Sequence, residues 1–217
     1  NRDKTQRICL RIFIMNLFDE KYYEDGINTH ISGYENYRWM PERTIREATS
    51  IIEKIDFETV LDFGCAKGFM VYAMRLLGKE AHGVDISDYA VNAGMSEVKD
   101  YLSVISSVDD IKGNYDLIMA KDVLEHIPYD ILPSILKAFR IRCRKILVAV
   151  PLGDNKKFRI RQYEMDVTHI IREPEEFWLK ALGEAGFKIK FFDYQMGHLK
   201  SNWTKTHQFG NAFIIGE

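Results

Sequence analysis

The feature that most constrains the fold is an alternation of short apolar strands with amphipathic helices, which begins at residue 59. In its first unit, the predicted strand "TVLDFG" is followed by the helix "FMVYAMRLLG". Consecutive parallel strands need long crossover connections, and a helix is the usual one, so the alternation predicts a parallel sheet with right-handed crossovers. In such sheets, ligands bind beyond the carboxyl ends of the strands.

The pattern continues to the end of the chain and predicts seven strands. The other six are predicted at "EAHGVDI", "YLSVIS", "YDLIMA", "KILVAVP", "KIKFFDY" and "GNAFIIGE". No helical pattern separates the last two, so we expect an antiparallel pair at one edge. The predicted fold class is therefore α/β: a doubly wound, Rossmann-like, seven-stranded sheet, mostly parallel with one antiparallel edge strand, and with helices on both faces.

Two segments precede the sheet. "TQRICLRIFIMNLF" has apolar residues at helical spacing, whereas the following "DEKYYEDGINTHISGYENYRW" is aromatic and aperiodic, as an ordered lid would be. We predict an N-terminal helix and aromatic lid segment over residues 1–40, and one sheet domain over residues 41–217. Because the chain starts at Asn1 without a signal segment, we expect it to be joined to further domains in a longer polypeptide.

Composition limits the partners and the compartment. The 217 residues carry a formal net charge of −2, which argues against general coating of nucleic acid. The apolar runs are shorter than the roughly 20 residues that a membrane helix needs, so no membrane insertion is expected. Cys9, Cys65 and Cys143 form neither a disulfide framework nor a metal motif. A reducing compartment, and hence a cytoplasmic protein, is the simplest interpretation.

The turn after the first strand has the composition of a cofactor loop. Gly64 and Gly68 permit unusual backbone angles and the close approach of a ligand, although a tight turn alone could also require them. Asp85 ends the second strand, where an acid can accept hydrogen bonds from ribose hydroxyls. Dinucleotides and S-adenosylmethionine both use such an acid. Asp62 within the loop would repel a pyrophosphate, so its charge favours the cationic S-adenosylmethionine.

The motifs of the sheet domain resemble those of a known family. "VLDFGCAKG", "GVDIS", "YDLIMAKDVLEHIP" and "EAGF", in this order and spacing, are similar to those of class I S-adenosylmethionine-dependent methyltransferases of the small-molecule type. The likeness covers residues 41–217 and implies a methyl-transferring enzyme. By position, it implies cofactor contacts from Asp62, Gly64, Ala66 and Gly68 (methionine part), Asp85 and Ile86 (ribose and adenine), Ser107 and Val108 (adenine), and Ala120 and Lys121 (methionine part). Ala66 departs from the family's usual glycine, and Ser107 from its usual acid.

An acid–histidine cluster follows the fourth strand. "KDVLEHIP" places Asp122, Glu125 and His126 at i, i+3 and i+4, which share a face on one helical turn. Three interpretations stay open. The cluster is structural; or His126 or Asp122 is a general base, since an alcohol acceptor must lose its proton; or the carboxylates and the imidazole bind magnesium or manganese.

The metal interpretation has a resemblance of its own. RNA-terminal and quinone-precursor O-methyltransferases hold magnesium through E-x-x-E-H, and Asp122 stands where the first glutamate would be. His169, in "DVTHII", would complete a set of Asp122, Glu125, His126 and His169. His169 is also our preferred general base, ahead of His126 and Asp122, and Asp166 beside it would face the acceptor.

Two segments are candidates for binding the acceptor. The lid contributes Tyr34, Tyr37 and Arg38, and aromatic side chains with polar ends suit sugar rings or flat bases. In the segment "KKFRIRQYEMDVTHI", Arg159 and other basic residues are interleaved with apolar ones, as in an anion-binding cradle or a solvated edge strand. The lid stretch also resembles leader segments of methyltransferases that act on sugars and cell-surface glycans.

Together these features predict an O-methyltransferase that acts on a hydroxyl of a saccharide, either a glycan or an activated sugar. A first alternative is a metal-dependent RNA-terminal ribose 2'-O-methyltransferase, with nucleic acid as its partner. A second is a non-catalytic, cofactor-binding module of a larger protein. The intact cofactor motif and the acid–histidine cluster argue against the second alternative.

Overall fold

The computed structural model describes residues 17–217, which contain the predicted sheet. Its strands are β1 (Thr59–Phe63), β2 (Glu80–Asp85), β3 (Leu102–Val104), β4 (Tyr115–Lys121), β5 (Cys143–Pro151), β8 (Ile189–Asp193) and β9 (Asn211–Gly216), and a separate hairpin consists of β6 (Gly153–Asp154) and β7 (Lys157–Phe158). The order across the sheet is β3-β2-β1-β4-β5-β9-β8. The predicted α/β fold class is confirmed.

The reversed strand is β9, which lies one place in from the edge. It is antiparallel to both neighbours, β5 and β8, whereas the strands from β3 to β5 are mutually parallel. The expectation that no helix separates the last two strands is wrong, because Ser201–Thr204 is helical. The β8–β9 connection packs against the helix that precedes β1, where the His198 N–H donates to Ser50 Oγ at 2.9 Å.

Helices lie on both faces of the sheet. They are α1 (Glu20–Glu24), α2 (Gly26–Thr29), α3 (Pro41–Lys54), α4 (Phe69–Leu76), α5 (Asp88–Asn92), α6 (Leu132–Arg142), α7 (Glu175–Glu184) and α8 (Ser201–Thr204), with 3-10 turns at Ser96–Tyr101, Val108–Asp110, Leu124–His126 and Arg161–Met165. The lid therefore contains two short helices, α1 and α2. The predicted N-terminal helix falls outside the described residues apart from its end. Within residues 17–217, no helix is long and apolar enough to cross a bilayer.

The central strands are covered on both faces. In β4, Leu117 and Met119 belong to the apolar core under α3 and α4, whereas Ile118 and Ala120 belong to the core under α6 and α7. All four side chains are buried. A strand buried on both faces has no polar side to present to water, which is why "LIMA" and "ILVAV" are continuous apolar runs.

The turn after β1 requires glycine for reasons internal to the protein. The N–H groups of Gly64 and Cys65 both donate to the Val84 carbonyl oxygen, at 2.8 and 3.1 Å. Gly64 has a φ of +80°, and a Cβ there would lie 2.5 Å from Cγ2 of Val123. The tight approach of the loop after β4 is therefore sufficient to explain this glycine, without a ligand.

We expect Gly64→Ala to lower the free energy of unfolding by about 2–5 kcal/mol, from about 1–2 kcal/mol for a left-handed alanine and about 1–3 kcal/mol for overpacking. Gly78→Ala is the matched control, because Gly78 has a φ of +83° but open space where its Cβ would stand. It should show only the conformational cost. Urea unfolding measures both variants, and equal losses would contradict a steric role for Val123.

Candidate active site

A cavity of about 330 Å³ lies at the carboxyl ends of β1, β2 and β4, between the sheet and the lid. Its walls come from segments that are far apart in the chain and meet because parallel strands end at the same edge. The predicted site residues that line it are Tyr34, Tyr37, Gly64, Ala66, Asp85, Ile86, Ser107, Val108, Lys121, Asp122 and His126.

The other predicted site residues do not line this cavity. Those that are buried behind its walls are Asp62, Gly68, Ala120, Glu125, Asp166 and His169. Arg38 is exposed. Arg159 forms ion pairs with Asp154 and Glu175, each at 2.7 Å. These pairs neutralise its guanidinium, so the contacts do not support the hypothesis that Arg159 holds an anionic acceptor.

Two acids mark the cofactor end of the cavity. Asp85 accepts hydrogen bonds from the N–H groups of Ala66 and Ser87, at 2.7 and 2.8 Å, and so fixes the glycine turn against β2. Asp62 lies behind the wall and is 7% exposed. Its burial raises its pKa to about 7, although the positive charge of Lys121 offsets part of the shift. A cation that bound beside Asp62 would favour its charged form.

Asp122 is held by two lysines at the end of β4. Lys121 Nζ lies 3.0 Å from one carboxylate oxygen, and Lys200 Nζ contacts the other. Burial alone would raise the pKa of Asp122, but Lys200 and Lys121 outweigh it and hold this pKa well below its usual range. Because lysines hold both of its carboxylate oxygens, the contacts argue against Asp122 as the general base.

Three of the four predicted metal ligands converge. The ligand atoms of Glu125, His126 and His169 lie within 4.8 Å of one another, and Asp122 is not part of this group. The chain is left-handed at Asp122 (φ 54°), and the 3-10 turn starts only at Leu124. Asp122, Glu125 and His126 therefore do not share the single helical turn that the spacing predicted, which corrects the place of Asp122 in the ligand set.

Glu125 is the most enclosed member of this group. Its side chain is 1% exposed, and Oε2 has no hydrogen-bond partner among the described residues. Burial raises its pKa to about 8, with the nearby charge of Asp122 adding to the effect. Its backbone carbonyl accepts from the N–H groups of Ile170 and Ile171, at 2.8 and 2.9 Å, which joins the two loops that carry the histidines.

His126 is the imidazole on the cavity wall. Its Nδ1 lies 2.7 Å from Thr168 Oγ1, and burial lowers its pKa to about 4. His169 lies behind it, with the ring centroids 4.6 Å apart. The Nδ1–H of His169 donates to the Tyr163 carbonyl oxygen at 2.7 Å. Since only His126 lines the cavity, the geometry favours His126 over His169 as the base.

The lid is bonded to both sides of the cavity. On the cofactor side, Lys67 of the glycine turn pairs with Glu24 at 2.5 Å and donates to the Tyr37 carbonyl oxygen at 2.8 Å. On the opposite side, the Tyr22 hydroxyl donates to Asp166 at 2.7 Å. The lid thus covers the cavity with tyrosine rings and connects its two sides.

Sequence reasoning misses Lys200 and Thr168, and it misses the contacts of Tyr22 and Lys67. Lys200 belongs to an aperiodic connection, and no local pattern indicates that its charge is buried against Asp122. Thr168 stands directly before His169, so a hydroxyl between an acid and a histidine in "DVTH" is the signal that could have identified it. Tyr22 and Lys67 lie within the predicted lid and loop, but their partners become visible only in the fold.

The charges of the cavity suit a cationic cofactor better than a pyrophosphate. Among the described lining residues, Lys121 alone is a lysine or arginine, and it is matched by Asp122 at 3.0 Å and Glu47 at 3.7 Å. Among these lining residues, no lysine or arginine without an acidic partner is therefore available to bind a phosphate. S-adenosylmethionine, which supplies a methyl group on a positively charged sulfur, fits this set. The residues that would hold it are Asp62, Gly64, Ala66, Asp85 and Ile86.

We expect the binding of S-adenosylmethionine to release a proton and to weaken as the pH falls below the Asp62 pKa of about 7. The cofactor's ammonium favours the carboxylate, so each pH unit below this value should raise Kd by up to about tenfold. Calorimetry in buffers of different ionisation enthalpy measures the proton release. Asp62→Asn should bind more weakly, with a Kd that no longer follows pH in this range. A pH dependence that persists in Asp62→Asn would contradict the assignment.

A comparison with protein families agrees with these features. The family described as "Methyltransferase domain" matches residues 30–190, which is well over half of the chain. A comparison with curated protein sequences finds no match.

Solved structures share the fold at low sequence identity. An S-adenosylmethionine-dependent methyltransferase from Archaeoglobus fulgidus is 17% identical, with a TM-score of 0.59 over 79% of this chain and 93% of that one. Magnesium protoporphyrin IX methyltransferase from Synechocystis, with bound SAH, is 15% identical, with a TM-score of 0.60 over 81% of each chain. A TehB-like methyltransferase from Corynebacterium glutamicum is 12% identical, with a TM-score of 0.56 over 100% and 98%. Because the family model matches most of the chain, the chain belongs to the methyltransferase domain family. It is an S-adenosylmethionine-dependent methyltransferase of the class I fold.

Proposed function

We propose that the chain transfers the methyl group of S-adenosylmethionine to a hydroxyl oxygen of a saccharide, with His126 as the general base. The observation that carries the proposal is the position of His126. It lines the cavity, Thr168 contacts its Nδ1 at 2.7 Å, and its Nε2 has no hydrogen-bond partner among the described residues. Nε2 is thus the ring nitrogen that can accept a proton from an acceptor in the cavity.

An oxygen acceptor explains why a base is needed. A hydroxyl must lose its proton as its oxygen bonds to the methyl carbon, and His126 Nε2 would take that proton. The sulfonium is a good leaving group, so no acid has to assist its departure. Holding the hydroxyl in line with the methyl group supplies much of the remaining rate.

The balance of charge favours a neutral acceptor such as a saccharide. Lys121 and Lys200 both form ion pairs with Asp122, and Arg159 forms one with Asp154. An anionic acceptor would therefore find few unpaired cations among these residues. Tyr22 and Tyr34 line the cavity and offer flat rings that suit the faces of a sugar. A neutral glycan fits this balance better than an activated sugar, whose phosphate groups would need cations.

We expect His126→Ala to lower kcat by about 100-fold or more, since a general base contributes on the order of 10²–10⁴-fold. His198→Ala is the control, because His198 is exposed and its side chain belongs to no part of the site. Transfer of labelled methyl from the cofactor to a panel of glycans, activated sugars and RNAs measures both variants. Equal activity of the two would contradict the role of His126, and label on RNA alone would contradict the saccharide.

A second candidate function is metal-assisted methylation of a ribose hydroxyl at an RNA end. It is favoured by the convergence of Glu125, His126 and His169 and by the unpartnered, buried Oε2 of Glu125. A carboxylate and two imidazoles suit a divalent transition metal such as manganese, whereas magnesium prefers oxygen ligands. The lysines that occupy Asp122 argue against this function, because they remove the fourth predicted ligand and add positive charge nearby.

Chelation separates the two candidate functions. If His126 acts as a free base, treatment with EDTA should leave kcat within about twofold of its starting value, well below the 10²-fold or greater contribution of a base or metal. Calorimetry with Mn²⁺ should likewise detect no site that Glu125→Gln removes. A loss of activity in EDTA that Mn²⁺ or Mg²⁺ restores would favour the metal-assisted reaction, provided that the metal restores no activity to Glu125→Gln.

A further inference from the structure

The loop after β7 carries a buried carboxylate outside the cavity. Asp166 is 6% exposed, and its two oxygens accept from described neighbours on both sides. Oδ1 accepts from the Thr168 N–H at 2.9 Å and from the Thr168 hydroxyl at 2.5 Å. Oδ2 accepts from the Tyr22 hydroxyl at 2.7 Å. A carboxylate placed in this way serves as the fixed acceptor of a hydrogen-bond chain.

The direction of that chain sets the protonation of the histidine. Thr168 has one hydroxyl proton, and it is donated to Asp166. The hydroxyl oxygen can then only accept from His126 Nδ1, which lies 2.7 Å away. His126 must therefore carry its proton on Nδ1, which leaves the lone pair on Nε2. This is the tautomer that a base acting through Nε2 requires.

The lid contributes to the same chain. Tyr22 belongs to α1, and Val167 N–H donates to the Ile31 carbonyl oxygen of the lid at 3.0 Å, so the lid holds the Asp166 loop at two points. The lid is also bound to the glycine turn through Lys67. The closed lid thus connects the cofactor side of the cavity with the loop that orients the histidine.

We propose that Thr168 and Asp166 are positioning residues that hold His126 in the Nδ1-protonated tautomer, and that Tyr22 makes this alignment depend on closure of the lid. The proposal rests on the proposed role of His126 as the base. Without Thr168, the imidazole could rotate or exchange its proton between the two nitrogens. With the lid open, Asp166 would lose the Tyr22 donor and its loop would be less restrained.

Thr168→Val tests the chain at the step nearest to His126, because valine keeps the shape and removes the hydroxyl. We expect kcat to fall by about 10–100-fold with little change in KM, by analogy with the range found when the hydrogen-bond partners of metal-ligating histidines are removed. Thr168→Ser should recover most of the activity, since serine restores the hydroxyl. Cofactor affinity, measured by calorimetry, should stay the same in both variants and thereby show that the site is intact.

The tautomer can be read without any reaction. In protein labelled with ¹⁵N-histidine, the ring nitrogen shifts of His126 should identify the Nδ1-protonated form in the wild type and in Thr168→Ser, and a mixture of forms in Thr168→Val. This measurement judges the hydrogen-bond chain even if His126→Ala proves active and the proposed function fails. An Nε2-protonated His126 in the wild type, or an unchanged tautomer and kcat in Thr168→Val, would overturn the proposal.

Tyr22→Phe tests the link to the lid. We expect a several-fold loss of kcat, smaller than that of Thr168→Val because Asp166 keeps its other donors. Tyr194→Phe is the matched control, since it removes a tyrosine–carboxylate hydrogen bond to Glu175 away from the cavity. An equal effect of the two tyrosine variants on kcat would contradict the coupling between lid and base.

Discussion

The parallel pairing of β1 between β2 and β4 is the constraint on which the rest of the structure depends. It brings three carboxyl ends to one edge, where the chain must leave each strand without blocking its neighbours. The Val84 carbonyl oxygen accepts from both Gly64 and Cys65, so the chain leaves β1 in a left-handed turn over β2. The cavity exists because this turn, the end of β2 and the loop after β4 diverge from the same edge.

Gathering so many ionisable groups at one edge is costly, because burial disfavours charge. The buried carboxyl groups at this edge respond to that cost in two ways. Asp122 stays charged since Lys121 and Lys200 contact its two oxygens. Among residues 17–217, no lysine or arginine pairs with Asp62 or Glu125, and burial raises their pKa values to about 7 and about 8. The edge therefore combines a fixed ion pair with carboxyl groups whose charge a bound cation would restore.

Much of the fold and of the cofactor end could be predicted from the sequence, since both depend on local patterns. Continuous apolar runs fix β4 and β5 as strands buried on both faces, and the helix between each pair of strands makes them parallel. The turn after the first strand and Asp85 at the end of the second then meet at one edge of the sheet, where both line the cavity. The antiparallel pair of β8 and β9 was also expected, although not the place of β9 between β5 and β8.

The sequence by itself determined the class of sheet, and it placed Asp62 and Asp85 at the ends of β1 and β2, the edge that borders the cavity. Only the tertiary structure decided that His126 and not His169 reaches the cavity, and that Asp122 pairs with a lysine 78 residues away. The bond between Tyr22 and Asp166 spans 144 residues. Repeating strands and helices leave a periodic signal in the chain, whereas a single polar contact between two aperiodic loops leaves none, because only the packing of the whole domain brings the loops together.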